Sequence, residues 1–176
     1  MQFKLIKYLN DDESELGESH ILGCPDTPSE WNDNGIFNND EIFIGQINLK
    51  EYSTEELPNE GILYFFIAVG SNPYRGIVRY AKDLTNIERI EFNSEVNFKY
   101  DLNREYHLEL GNGEIELLPN KVKFKYYKLK DNERVLLVCN LDIFKDIDET
   151  IAFIIKKEDL VNNKFESSYL SLPLEN

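Results

Sequence analysis

The chain has 176 residues, enough for one domain or two small halves over a shared core, and its 41% hydrophobic content with 11 Phe and 10 Tyr excludes disorder as a description of the whole. With 19 basic against 33 acidic residues the net charge is −14, which opposes binding to nucleic-acid phosphates and to anionic membranes and favours encounter with a basic partner. Two cysteines, Cys24 and Cys139, make no disulfide framework, and no apolar run approaches the roughly 20 residues that a membrane helix needs.

In chain order, Phe3 to Leu9 alternates as an edge strand, and its lysines interrupt any secretory apolar stretch, so a cytoplasmic location is expected. Asn10 to Glu18 is an acidic loop. His20 to Pro25 is a short apolar step closed by proline, and Pro25 to Asp40 reads as a polar loop carrying the single tryptophan, Trp31. Ile42 to Leu49 is a strand. Ser53 followed by Glu56 is a helix-start signal, and Pro58 with Gly61 limits that helix to a turn and a half. Gly61 to Val69, rich in Phe and Ile and bounded by glycine, predicts a strand buried on both faces. It pairs as a hairpin with Arg75 to Tyr80 across the turn Gly70-Ser71-Asn72-Pro73.

Period-two alternation recurs at Val96/Phe98/Tyr100, Tyr106/Leu108/Leu110, Ile115/Leu117 and Val122/Phe124/Tyr126, which predicts strands with one wet face. Asn112-Gly113 fits a tight hairpin turn, so 95 to 130 is expected to be an antiparallel meander. A short helix begins at Lys157 or Glu158, with acidic residues suited to its N-terminal dipole, and ends near Asn162-Asn163. Glu166 to Leu172 completes the series as a last strand. The fold class is therefore α+β and mainly β, with antiparallel sheets in meander and hairpin topology and one or two short helices. A single domain spanning 1–176 is expected.

The chain also repeats itself. Leu136 to Ile143 lies over Ile42 to Leu49, and Glu149 to Ile155 over Gly61 to Ile67. Each unit is an apolar strand, a polar step (Gln46/Asn48, then Asn140/Asp142), a connection and a second apolar strand. This predicts internal duplication, with half-units of roughly 1–84 and 95–176.

These segments resemble the YwqG-like family, a bacterial domain family of unknown function. The resemblance rests on Leu22-Gly23-Cys24-Pro25-Asp26 with Pro28, on Gly45 to Leu49, Leu57-Pro58 and Gly61 to Ile67, and on Tyr74 to Tyr80. It resumes at Leu136 to Asp142, Phe153 to Ile155, Glu158 to Leu160 and Lys164-Phe165. The stretch from about 85 to 130 does not align. The second half departs from the family pattern: its polar step reads Asn140-Leu141-Asp142, and no tryptophan or glycine lies between 140 and 160. The resemblance implies a mainly β domain with internal pseudo-symmetry and, for some members, a role as immunity or accessory proteins beside toxin genes. It implies no reaction.

Candidate functional residues follow from chemistry. Gln46, Asn48, Asn140 and Asp142 sit in apolar strands, where a buried amide needs partners; they either tie strand ends to loops such as the Cys24-Pro25 turn or line a ligand pocket between the half-units. Asp11, Asp12, Glu13 and Glu15, with the cluster Asp142, Asp146, Asp148 and Glu149, form acidic surfaces suited to a basic partner, and Trp31 is an anchor candidate if exposed. The carboxylate cluster lacks the glycine and spacing of a calcium loop, and two histidines without HExxH or CxxC give no zinc motif. His20 and Cys24 could share a strand face, but Cys24 sits in a structural-looking turn. The lysines at 121, 123, 125, 128 and 130 read as the wet face of an edge strand, away from Phe124 and Tyr126. No cofactor, metal or catalytic residue is called for. The expected function is a non-enzymatic cytoplasmic protein-binding module, an immunity protein that occludes a basic toxin domain. The alternative is a small-ligand-binding domain or hydrolase with the inter-half pocket; a third is an adaptor presenting an edge strand.

Overall fold

A computed structural model describes residues 1–8, 13–92, 104–119, 129–140 and 150–171. Twelve strands run β1 Gln2–Lys7, β2 His20–Leu22, β3 Asp26–Pro28, β4 Glu41–Asn48, β5 Ile62–Ala68, β6 Arg75–Ala81, β7 Ile87–Arg89, β8 Glu105–Leu110, β9 Ile115–Leu117, β10 Glu133–Cys139, β11 Ile151–Lys156 and β12 Tyr169–Ser171. Two five-residue helices, α1 Ser29–Asp33 and α2 Lys157–Val161, and a 3₁₀ turn at Phe165–Ser167 complete the described elements. The chain is mainly β, as the alternating segments predict.

Ten strands form one antiparallel sheet in the order β12-β11-β10-β9-β1-β8-β2-β4-β5-β6, and β3 pairs with β7 in a separate two-stranded sheet. The large sheet curls until its ends approach: a Cβ on Gly76 of β6 would stand 2.9 Å from Leu170 of β12. Its order reads the same from both ends, with β4-β5-β6 matching β10-β11-β12 about a centre between β1 and β8. The centre is an exchange. β1 pairs with β9 of the later half, and β8 pairs with β2 of the earlier half.

The duplication extends to single residues. Register slips at Ile44 between β4 and β5, and at Leu136 between β10 and β11, each time inserting one extra residue. Glu41 and Glu133 open the two strands alike. Each is buried, each donates its N–H to the carbonyl three residues back, and each accepts that residue's N–H on its carboxylate. Leu22 and Leu118, at matching ends of β2 and β9, both take left-handed backbone, with φ of 61° and 45°. The matching register therefore places Asn48 with Asn140 and Gln46 with Val138. This corrects by two residues the sequence alignment of the first strand pair, whereas Gly61 to Ile67 over Glu149 to Ile155 stands.

The interior is shared. Leu63, Phe65 and Ile67 of β5 point into the same cluster as Ile151, Phe153 and Ile155 of β11, with the Phe65 and Phe153 rings 5.1 Å apart. The alternate residues face outward into two separate layers, Phe43, Ile62, Tyr64 and Phe66 on the first arm and Val135, Val138, Ala152 and Ile154 on the second. Both faces of β5 are thus buried, which explains its unbroken apolar run.

Five further expectations are corrected. β1 is interior to the sheet, since a central strand with one wet face alternates in the same way as an edge strand. No helix forms at Tyr52 to Leu57: Glu56 bonds through both carboxylate oxygens to Arg134 of β10, 2.8 and 3.0 Å away, instead of closing a capping box. Asn112-Gly113 joins β8 to β9, which do not pair; the turn steps over β1, so this part is no meander. The polar stretch 25–40 contains β3 and α1, and the last strand shrinks to Tyr169–Ser171 behind a 3₁₀ turn. The expected strands at Val96 to Tyr100 and Val122 to Tyr126 lie outside the described residues.

Candidate functional site

Gln46 is fully buried on the outer side of β4. Its carbonyl oxygen accepts the N–H of Asp26 (2.8 Å), and its amide donates to the Glu18 carbonyl (2.7 Å) and to Asp26 Oδ2 (2.9 Å). Both ends of the amide are therefore matched, as its burial requires. Asp26, also fully buried, is the hub. Its carboxylate accepts Arg89 Nε (2.8 Å) and Nη2 (3.1 Å) from β7 and the Gly17 N–H (2.8 Å), while its carbonyl accepts the Tyr64 hydroxyl (2.6 Å). The Asp26 bonds hold Arg89 well above the usual guanidinium range, and burial raises the Tyr64 phenol.

The segment 13–19 lies across this hub as a strap held by polar bonds. Arg89 donates to the Ser14 carbonyl (2.9 Å) and hydroxyl (2.8 Å), and the Ser14 N–H donates to Glu105 of β8 (2.6 Å). Asn48 donates from its amide to the Gly17 carbonyl (2.8 Å) and from its backbone to the Ser19 hydroxyl (2.7 Å). Gly23, with φ of 77°, leaves room for Glu105: a Cβ there would stand 2.6 Å from the carboxylate.

His20 lies at the base of the strap, fully buried. Its Nδ1 is 2.9 Å from the Leu22 carbonyl, which can only accept, so Nδ1 carries the proton. Nε2 has no hydrogen-bond partner among the described residues and stands 4.0 Å from Asp26 Oδ2. Burial lowers the imidazole pKa against the opposing pull of Glu105 and Asp26, so the ring is neutral at pH 7 and its carboxylate contacts are not ion pairs. Cys24 is half-buried and burial raises its thiol, which disfavours the nucleophilic thiolate. The left-handed turn at Leu22 and Gly23 separates the two residues, so His20 and Cys24 do not share a strand face.

Of the remaining sequence candidates, Glu13 and Glu15 lie exposed on the strap, and Glu13 reaches Arg89 at 3.3 Å. Trp31 is half-buried over the first arm, its ring 5.2 Å from Tyr64 and 6.3 Å from Phe37. Asn140 follows β10 and is exposed; its N–H donates to the Glu114 carbonyl (2.7 Å). Gln46 and Asn48 thus converge on the strap, and Asn140 belongs to the other arm. Asp11, Asp12, Asp142, Asp146, Asp148 and Glu149 lie outside the described residues, as do the lysines at 121, 123, 125 and 128. A concavity of about 400 Å³ is formed by Val69 to Tyr74 at the β5–β6 turn and includes none of these side chains. Among the described residues no three His, Cys, Asp or Glu side chains are grouped to hold a metal, and no helix is long and apolar enough to cross a membrane.

Sequence reasoning missed Asp26, Arg89 and Glu105 as members of one cluster. Asp26 carries a signal, being a lone carboxylate between Pro25 and Pro28 beside an apolar step. Arg89 and Glu105 carry none, because only the folded sheets bring them together.

A family model described as "Domain of unknown function (DUF1963)" matches residues 19–150. The chain belongs to the DUF1963 family. The DUF1963 match begins at the foot of the strap, contains Asp26, Gln46, Arg89 and Glu105, and runs through the middle stretch that the sequence resemblance left unaligned. It ends before β11, so β1, β11 and β12 lie outside it. No curated protein matches the chain.

Proposed function

We propose that this DUF1963 protein is a non-enzymatic protein-binding module of the YwqG-like kind, acting in the cytoplasm as an immunity protein that occludes a basic toxin domain. The observation that carries this reading is where the acidic side chains stand. β7 lies between the strap and α1: Arg89 reaches Glu13 and Ser14 on one side, and Glu88 accepts from Asn32 of α1 on the other (2.8 Å). Glu13, Glu15, Glu30, Asp33 and Glu88 are all exposed around this small sheet. Arg89 is bonded mainly inward to Asp26 and touches one rim carboxylate, Glu13 at 3.3 Å, which leaves Glu15, Glu30, Asp33 and Glu88 to carry the charge of the rim. Added to a net charge of −14, this arrangement favours fast encounter with a basic surface, while the bonds of the strap fix the position of its carboxylates.

The test is co-expression and pull-down with the product of the adjacent reading frame, followed by association kinetics. A complex is expected whose on-rate falls about tenfold between low and physiological salt, and falls similarly in the triple variant Glu13→Lys, Glu15→Lys, Glu88→Lys. Absence of a complex together with absence of rescue from the neighbouring gene's toxicity rejects the immunity reading.

A further inference from the structure

The strap and His20 form a device that does not depend on the identity of any partner. We propose that protonation of His20 unlatches the strap 13–19, so that the strap's part of the acidic rim, Glu13 and Glu15, is held in place at neutral pH and released on mild acidification.

Two carboxylates flank the ring. Asp26 Oδ2 is 4.0 Å from Nε2, and Glu105 Oε2 is 3.7 Å from Nδ1. The same two carboxylates hold the strap, Asp26 through the Gly17 N–H and Glu105 through the Ser14 N–H. The ring is therefore lodged between the strap's two acidic anchors. Among the described residues the other groups around it include the Phe43 ring (5.6 Å) and Gln46 from β4, His107 opposite it on β8, and Arg89 of β7. Tyr8, from the end of β1, meets His107 at 5.0 Å and is itself pushed up to about 12 by burial and then by Glu18 and Glu105.

In the neutral ring Nε2 presents a lone pair towards an anionic oxygen. A proton there makes Nε2 a donor 4.0 Å from Oδ2, the atom that already accepts from Gly17, Gln46 and Arg89 Nη2. A buried imidazolium is relieved either by drawing Asp26 across or by reaching water, and each route competes with the Gly17–Asp26 bond. Burial lowers the pKa of His20 in the closed form below its ordinary value near 6.5. The open form therefore binds more protons, and opening increases as pH falls through about 6.5, levelling off below the depressed value. Each unit of difference between open and closed forms multiplies the opening equilibrium about tenfold.

The experiment is amide hydrogen exchange on the full chain from pH 7.5 to 4.5, corrected for the intrinsic pH dependence. It compares the strap with β5 in the wild type, in His20→Phe and in His107→Gln, the other of the two histidines. The expected result is strap opening that rises about tenfold or more by pH 5 in the wild type and in His107→Gln, and stays flat in His20→Phe, with β5 unchanged throughout. A flat wild type overturns the proposal. So does a rise that persists in His20→Phe, which assigns release to the carboxylates themselves. If His20→Phe does not fold, NMR titration of the wild type decides. The His20 ring and the Ser14 and Gly17 amides must share one midpoint, and separate midpoints overturn the proposal.

Discussion

Asp26 shows how much one buried carboxylate can organise. It is fully buried, and it joins β3 to β7 through Arg89, to β4 through Gln46 and to the strap through Gly17. The dyad-related position to Gln46 is Val138, inside an apolar layer, so among the described residues the second arm fills the same place with apolar side chains. Such a hub contributes geometry more than net energy, because two charges must leave water to form it, whereas breaking it leaves Arg89 without its partner. Asp26→Asn is expected to lower unfolding stability in urea by about 3 kcal/mol, the low end for a broken buried pair, because Arg89 keeps 22% of its side-chain surface exposed. A loss below about 0.5 kcal/mol would mean that the hub is dispensable. The partners of Gln46 were half legible in the sequence. A buried amide beside the Cys24-Pro25 turn calls for backbone partners there, and Asp26 supplies them; its link to Arg89, 63 residues away, leaves no local trace.

At the scale of elements, strands whose residues answer to local burial were legible and their neighbours were not. β5 and the β5–β6 hairpin follow from an apolar run and a turn, both local properties. β1 alternates in a way that fits an edge strand or a central strand with one wet face, and pattern alone does not distinguish them. The capping signal at Ser53 and Glu56 failed because Arg134, 78 residues on, captures the carboxylate. Asn112-Gly113 failed for a steric reason. A Cβ on Gly113 would meet the backbone of β1, at 2.6 Å from Lys4 Cα, so glycine is required by the close passage over β1 and not by a two-residue hairpin. Gly113→Ala is therefore expected to cost about 1–3 kcal/mol in thermal or urea unfolding, the range for overpacking, whereas a solvent-exposed hairpin glycine would tolerate alanine at less than about 1 kcal/mol.

For the whole molecule, the central feature is the exchange at the middle of the sheet. Each arm supplies four consecutive sheet neighbours and takes its fifth from the other, β8 beside β2 and β1 beside β9. Two arms that share both an interior and their central strands are expected to unfold as one unit. Among the described residues the polar hub is built on the first arm, and the strap it holds carries part of the acidic rim. Repetition in the sequence made the duplication legible, but not the exchange, because a repeat records which segments are alike and not which are paired. Hydrogen exchange of the segment Gln2–Lys7 in the intact chain tests this most directly, since an edge strand frays while a central strand opens only with the core. Protection matching that of β5 is the expected result; exchange at the rate of a frayed edge strand would contradict it.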